Sequence, residues 1–237
     1  LRGVGHVLDG VRSVLRLVGP RLMCAMGLVA LRRSVPYLPR EAALVLAPQG
    51  DLVEELSGDP LDRAISRAMG EDRPETRLHD LVEVIDAAAE DGRVKALVLD
   101  LGGLEGAGLP KLQDVAAALG RFRDGGKKIF AWGSEFDQRQ YYLAAQADEV
   151  YLDPFGSVLV QGYGYFRPYL KGAVDKLGVE VNVFRAGNYK SATDTFTRAD
   201  MSPEDREEAG VWLAALWEAW KADVARARDL EPEALQD

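Results

Sequence analysis

Cysteine occurs once in 237 residues, at Cys24, so no intrachain disulfide can form. Histidine is nearly as scarce, with only His6 and His79. Two histidines and one cysteine supply no metal-ligand spacing, and no metal site is expected. A histidine-based triad would have to use one of those two residues, and His79 lies in TRLHDLVEVIDAA, whose periodicity assigns it to a helix surface or cap. Long apolar runs are missing too. The longest uncharged one, Leu22–Leu31, has ten residues between Arg21 and Arg32, whereas a membrane span needs about twenty. No small-residue cleavage site follows it to make a clear signal peptide.

Positive charge is in deficit over the whole chain, which carries −9 and so argues against nucleic acid as a partner. That charge is unevenly divided. Residues 1–40 hold seven arginines against one acid, Asp9, giving +6, while the remainder holds 22 bases and 37 acids, giving −15. The first 40 residues therefore read as a basic amphipathic arm suited to an anionic membrane surface, and residues 41–237 as the body. Whether the arm spans a bilayer or coats it is left open by its length and its bracketing arginines. A helix packed on the body is the alternative.

The body alternates short apolar runs with helical periodicity. Strands are expected at 42–50, 94–103, 127–135, 148–154 and 179–187, with 157–165 extended. Helices are expected at 60–69, 76–93, 110–126, 140–147, 168–178 and 202–229. Such alternation is the signature of an α/β fold with a parallel sheet. The last helix opens with Ser202 as N-cap and Pro203 at its first position, and holds three of four tryptophans. Its apolar face joins Leu213, Trp217, Trp220 and Val224, with Trp212 and Leu216 beside it. The glycines of GGLEGAG (102–108) and GYG (162–164) do not form a dinucleotide loop between strand and helix, so no cofactor is expected.

Chemistry points to FRAGNYKSATDTFTR (184–198), beyond the last expected strand, where open α/β folds place their ligands. Lys190 could serve as a general base if burial or nearby positive charge brought its pKa from about 10.4 towards 7 or 8. Ser191, its neighbour, points away from it on any regular backbone and is better suited to a supporting hydrogen bond than to attack. Ser134, after KKIFAWG, is the best placed local hydroxyl for a nucleophile on position alone, although a turn or cap role in GSEFD is the commoner one for such a serine.

The ordered series VKALVLDL, LGRFRDGGKKIFAWG, QYYLAAQADEVYLDP and DKLGVEVNVFRAGNYKSA resembles the amino-terminal repeat of the long, two-repeat form of the bacterial signal peptide peptidase A family, serine peptidases of family S49. The likeness runs from about 42 to 229. It implies a crotonase/ClpP-like fold of repeated ββα units, completed here by the long Trp-rich carboxyl-terminal helix. It assigns Lys190 as the general base of a Ser-Lys dyad. The family's nucleophile falls at Gln138 when the helices are aligned on Tyr141, so no nucleophile is expected in this chain, and a missing carboxyl-terminal repeat would supply it. The family's S-P-G-G loop corresponds to LGGLEGAG (101–108), which lacks that pattern. The resemblance further implies hydrophobic peptide substrates such as cleaved signal peptides, a tetrameric homo-oligomer, a bacterial cytoplasmic membrane association, and inactivity of this chain alone. Two other readings stay open: a non-catalytic assembly or membrane-surface module of the same fold, and an acyl-CoA enzyme of the crotonase type.

Overall fold

The computed structural model describes residues 39–70, 73–183 and 192–235. The chain divides into two compact units, Leu1–Ala42 and Ala43–Asp237. Residues 1–38 of the basic arm lie outside the described residues, and so does Cys24 with them.

The main sheet contains β1 (Ala42–Leu46), β4 (Val94–Asp100), β6 (Lys128–Gly133) and β8 (Glu149–Leu152), in the order β1-β4-β6-β8. Strands β4, β6 and β8 run parallel, with Val98 opposite Phe130 and Trp132 opposite Tyr151. Parallel pairing requires crossovers, and helices supply them. Helix α2 (Leu78–Glu90) precedes β4, α3 (Leu109–Asp124) joins β4 to β6, and α4 (Gln138–Ala144) joins β6 to β8. The expected parallel α/β class is thus the observed one.

Period-two alternation sends Leu97, Leu99, Ile129 and Ala131 into the core, where they join Leu81 and Ile85 of α2 and Leu112, Val115, Leu119 and Phe122 of α3. Each large apolar side chain buried there contributes roughly 1.5–3 kcal/mol. Arg121 of α3 donates two 2.9 Å hydrogen bonds to Asp86 of α2, fixing the two helices in register at their exposed seam. Gly126, at φ +77°, turns the chain from α3 into β6, in a conformation that costs glycine little. The opposite sheet face is open: Trp132 and Tyr151 are each half exposed.

Three short strands form a second sheet, in the order β3-β2-β5: β2 (Gly50–Val53), β3 (Glu75–Arg77) and β5 (Leu104–Gly106), both pairs parallel. The expected strand 42–50 therefore ends at Leu46, and a separate strand starts at Gly50, whose φ of +64° turns it there. Helix α1 (Pro60–Met69) has the expected limits. His79 sits on the exposed surface of α2, 3.8 Å from Glu83.

Two expectations need correction beyond β8. The stretch 157–165 forms only a two-residue strand, β9 (Val158–Leu159), paired with β7 (Phe136–Asp137). The expected strand 179–187 is not seen over 179–183, which has no regular structure, and 184–187 lie outside the described residues. Between them stands α5 (Lys171–Lys176), shorter than expected. A short α6 (Asp194–Thr197) leads to α7 (Pro203–Arg228), the long final helix, followed by a 3₁₀ turn at Pro232–Leu235. Ser202 caps α7 by accepting a hydrogen bond from the Asp205 N–H at 3.2 Å. The Trp-rich stripe divides as α7 runs: Trp220 and Val224 are buried, Trp217 and Leu216 half-buried, and Trp212 exposed. Among the described residues no helix is long and apolar enough to cross a membrane.

Candidate active site

The position matched to a serine nucleophile opens α4. The chain arrives there from β6 through an exposed bend at Ser134 and the two-residue β7. Asp137 caps the helix, accepting 2.8 Å hydrogen bonds from the backbone N–H of Arg139 and of Gln140, while the Gln140 side chain accepts from the Asp137 N–H. This reciprocal cap sets the first turn rigidly.

Gln138 is the first helical residue, and its side chain is engaged. Its Oε1 accepts hydrogen bonds from the backbone N–H of Gly162 at 2.7 Å and of Gln161 at 3.2 Å. Its own carbonyl accepts the Trp220 Nε1–H at 3.2 Å. Burial pushes the Tyr163 hydroxyl above its ordinary pKa, opposed by a hydrogen bond with Gln138. An amide carries no nucleophilic oxygen of the kind acyl transfer needs, so this residue ties α4, α7 and the segment after β9 together rather than attacking a carbonyl. Ser134, four residues earlier, is exposed on its bend and has no hydrogen-bond partner for its hydroxyl among the described residues.

The loop 101–108 is packed shut against β2. Gly50 N–H donates to the Gly103 carbonyl at 2.7 Å, and Gln140 Nε2 donates to the Leu104 carbonyl at 2.9 Å. A Cβ on Gly103 would collide with the Gln49 side-chain amide, and one on Gly106 with the Asp51 carboxylate. A carboxylate beside this loop repels a developing oxyanion, where catalysis would need donors. These glycines serve close packing.

Lys190 and Ser191 lie outside the described residues. The chain becomes described again at 192 and enters α6, whose first residue, Asp194, is buried. A strap at 165–170 holds this region. Leu170 N–H donates to the Thr195 carbonyl at 2.6 Å, and Arg167 Nη1 meets Asp205 of α7 at 3.2 Å. Arg167 also lies 5.4 Å from the centre of the Tyr165 ring, which packs edge-on against Trp212. Burial and the neighbouring Asp205 push the Tyr169 hydroxyl up. Lys221 is buried as well, 2.9 Å from Glu218 and over the Trp217 ring.

Sequence reasoning missed this set of buried charges. Asp205 reads as an ordinary first-turn acid, and Lys221 as a helix-surface base. The one available signal was position: counted in steps of three and four from Trp217, Lys221 falls on the apolar stripe.

Residues 121–237 match the family model described as peptidase family S49, a stretch that includes Gln138, Lys190 and the whole of α7. The chain belongs to peptidase family S49. It is 37% identical over 185 residues to Protease 4 of Haemophilus influenzae and 38% identical over 197 residues to Protease 4 of Salmonella typhi. Those matches take in 78% and 81% of this chain but 28% and 32% of the relatives, so the chain spans about three tenths of their length. The chloroplastic serine protease SPPA of Arabidopsis thaliana is 28% identical over 160 residues, covering 68% of this chain and 24% of that protein. Among solved structures, an enoyl-CoA hydratase/isomerase family member is 15% identical at a TM-score of 0.32, covering 64% of this chain and 70% of its own. Pseudomonas aeruginosa OdaA is 16% identical at 0.32, covering 85% of this chain and 81% of its own. Overlap at that level carries no argument about ligand or reaction.

Proposed function

We propose that this chain is the lysine-bearing part of a serine endopeptidase that degrades apolar peptides such as cleaved signal peptides. Lys190 is the general base of a Ser-Lys dyad. It takes the proton of a serine hydroxyl as that oxygen attacks the scissile carbonyl, and passes it to the leaving amine. It then activates the water that releases the acyl group. The serine comes from a second, carboxyl-terminal repeat, across a subunit contact in a tetramer. Ser191 supports the amine through a hydrogen bond. The arm 1–40 holds the assembly at the bacterial cytoplasmic membrane surface, and no metal or organic cofactor takes part.

The observation that carries this reading is the pairing of an S49 match through Lys190 with a hydrogen-bonded glutamine at the nucleophile position. Such a pairing fits a chain that holds the base and lacks the attacking group. It follows that the 237-residue chain alone is inactive. Joined to a carboxyl-terminal S49 repeat it gains cleavage of an apolar fluorogenic peptide, and Lys190→Ala lowers kcat by at least a thousandfold. Unchanged kcat in that variant overturns the assignment of the lysine.

The tied Gln138 side chain also favours a second reading, a non-catalytic assembly module of the same fold. Acylation of a serine by a fluorophosphonate probe in the joined protein, dependent on Lys190, decides against it.

A further inference from the structure

Two residues after Lys190 the chain is described again and forms α6, a helix of four residues. Its turn is closed by hydrogen bonds from the Phe196 N–H to the Thr193 carbonyl at 3.0 Å and from the Arg198 N–H to the Asp194 carbonyl at 2.9 Å. One such turn does not hold itself in water, where isolated helices shorter than about twelve residues are marginal. Nor does Thr193 cap it with its side chain. The place of this turn is therefore set from outside.

The strap at 165–170 sets it. The strap has no regular structure of its own and takes its position from what it touches. On one side Arg167 meets Asp205 of α7 at 3.2 Å, in a pair whose guanidinium is 20% exposed and whose carboxylate is 7% exposed. The Tyr165 ring, 5.4 Å from that guanidinium, packs edge-on against Trp212 of α7 with ring centres 5.7 Å apart. On the other side the Leu170 N–H donates to the Thr195 carbonyl inside α6 at 2.6 Å, beside the buried Asp194. Helix α7, with 26 residues and a capped start, is the rigid member. A line of contacts thus runs from α7 through Arg167 and the strap to α6, which begins four residues after Lys190.

We infer that Arg167 is a positioning residue for peptide cleavage: paired with Asp205, it fixes the strap that holds the turn following Lys190, and so sets where the base sits against the serine. The peptidase reading supplies what is positioned, while the link from α7 to α6 stands without it. A displacement of about 1 Å at a reacting group can cost about a hundredfold in rate, so the effect falls on kcat while substrate binding is left alone.

Hydrogen exchange, followed by NMR in the full 237-residue chain, reads the link itself. Arg167→Met speeds exchange of the Leu170 and Arg198 amides at least tenfold and leaves the amides in the middle of α7 at their parental rates. Cleavage by the chain joined to a carboxyl-terminal repeat, assayed well below the unfolding midpoint of every variant, reads the consequence. There Arg167→Met lowers kcat about ten- to a hundredfold with KM within about twofold of the parent. Asp205→Asn does the same, and the double variant falls no further than either alone, because both break one connection. Arg167→Lys keeps a charge facing Asp205 and stays within about threefold of the parent. Phe166→Ser, at a strap residue that is 93% exposed, changes neither readout. Where Arg167→Met does not fold, the double variant, which removes both charges of the pair, is read in its place. Parental exchange at Leu170 and Arg198 overturns the inference, and so do freed amides with parental kcat. A loss that Arg167→Lys does not recover, or that adds to the loss in Asp205→Asn, overturns it as well. Cleavage that survives Lys190→Ala is failure of the peptidase reading, and it takes the positioning role down without touching the exchange result.

Discussion

Asp148 shows how one carboxylate can hold a strand register. Its Oδ2 accepts the Ile129 N–H at 2.8 Å, its Oδ1 lies 3.3 Å from the Lys128 amine, and its own N–H donates to the Ile129 carbonyl at 2.9 Å. Burial works to raise its pKa, but these hydrogen bonds outweigh it and hold the group below the ordinary carboxylate value. Because the folded-state pKa lies below the unfolded one, near 3.9, the contribution is fully present above that value. It is lost as pH falls through the folded pKa. Asp148→Asn is therefore expected to cost about 1–2 kcal/mol at pH 7 and much less at pH 2, read as urea midpoints at the two pH values. An equal loss at both would assign the effect to packing. At this same scale the sequence was least legible. Gln138 could be placed by its alignment with a serine, but nothing in QRQYYLAA says that its amide reaches across to 161 and 162. Asp205 and Lys221 were hidden because charge written along a helix does not announce which residue faces inward, and Arg167 because it lies in a strap without regular periodicity.

Elements were more legible where local signals agree with burial. Helix α7 has the expected limits to within a residue, since Ser202, Pro203 and the first-turn acids all mark one start. Ser202→Ala is expected to destabilise the protein by about 1 kcal/mol, seen as a lower midpoint in thermal unfolding, with Ser202→Asp close to the parent. The misses have a common cause. Strands β2, β3 and β5 hold three or four residues each, and Gly50 pairs with Leu104 over a long sequence separation. No local periodicity encodes such a partner. Conversely, VEVNV has strong β propensity yet is irregular over 179–183, because propensity without a ladder partner does not make a strand.

At the scale of the whole molecule, composition and topology carry different information. The parallel α/β class was readable from alternating periods alone, while the second sheet and the strap at 165–170 depend on packing between distant segments. The charge division belongs to this scale as well: +6 over residues 1–40 against −15 over the rest. If the arm acts at a membrane surface, the full chain should sediment with vesicles containing anionic phospholipid and not with neutral ones. Raising salt should weaken that association several-fold, as screening requires. Removal of residues 1–40 should abolish it, and equal binding to neutral vesicles would point instead to apolar contact by the body.

Trp217 and Trp220 stack with ring centres 5.1 Å apart and planes within 10°. Trp217 lines a groove beside residues 160–163, and Trp220 donates its indole proton at the head of α4. Two indoles so close share their electronic transitions, so circular dichroism in the aromatic region should carry a coupled signature that either single substitution removes. That optical pair spans the junction of α7, α4 and the groove, and lets the native chain report, without a label, on whether these three parts move together.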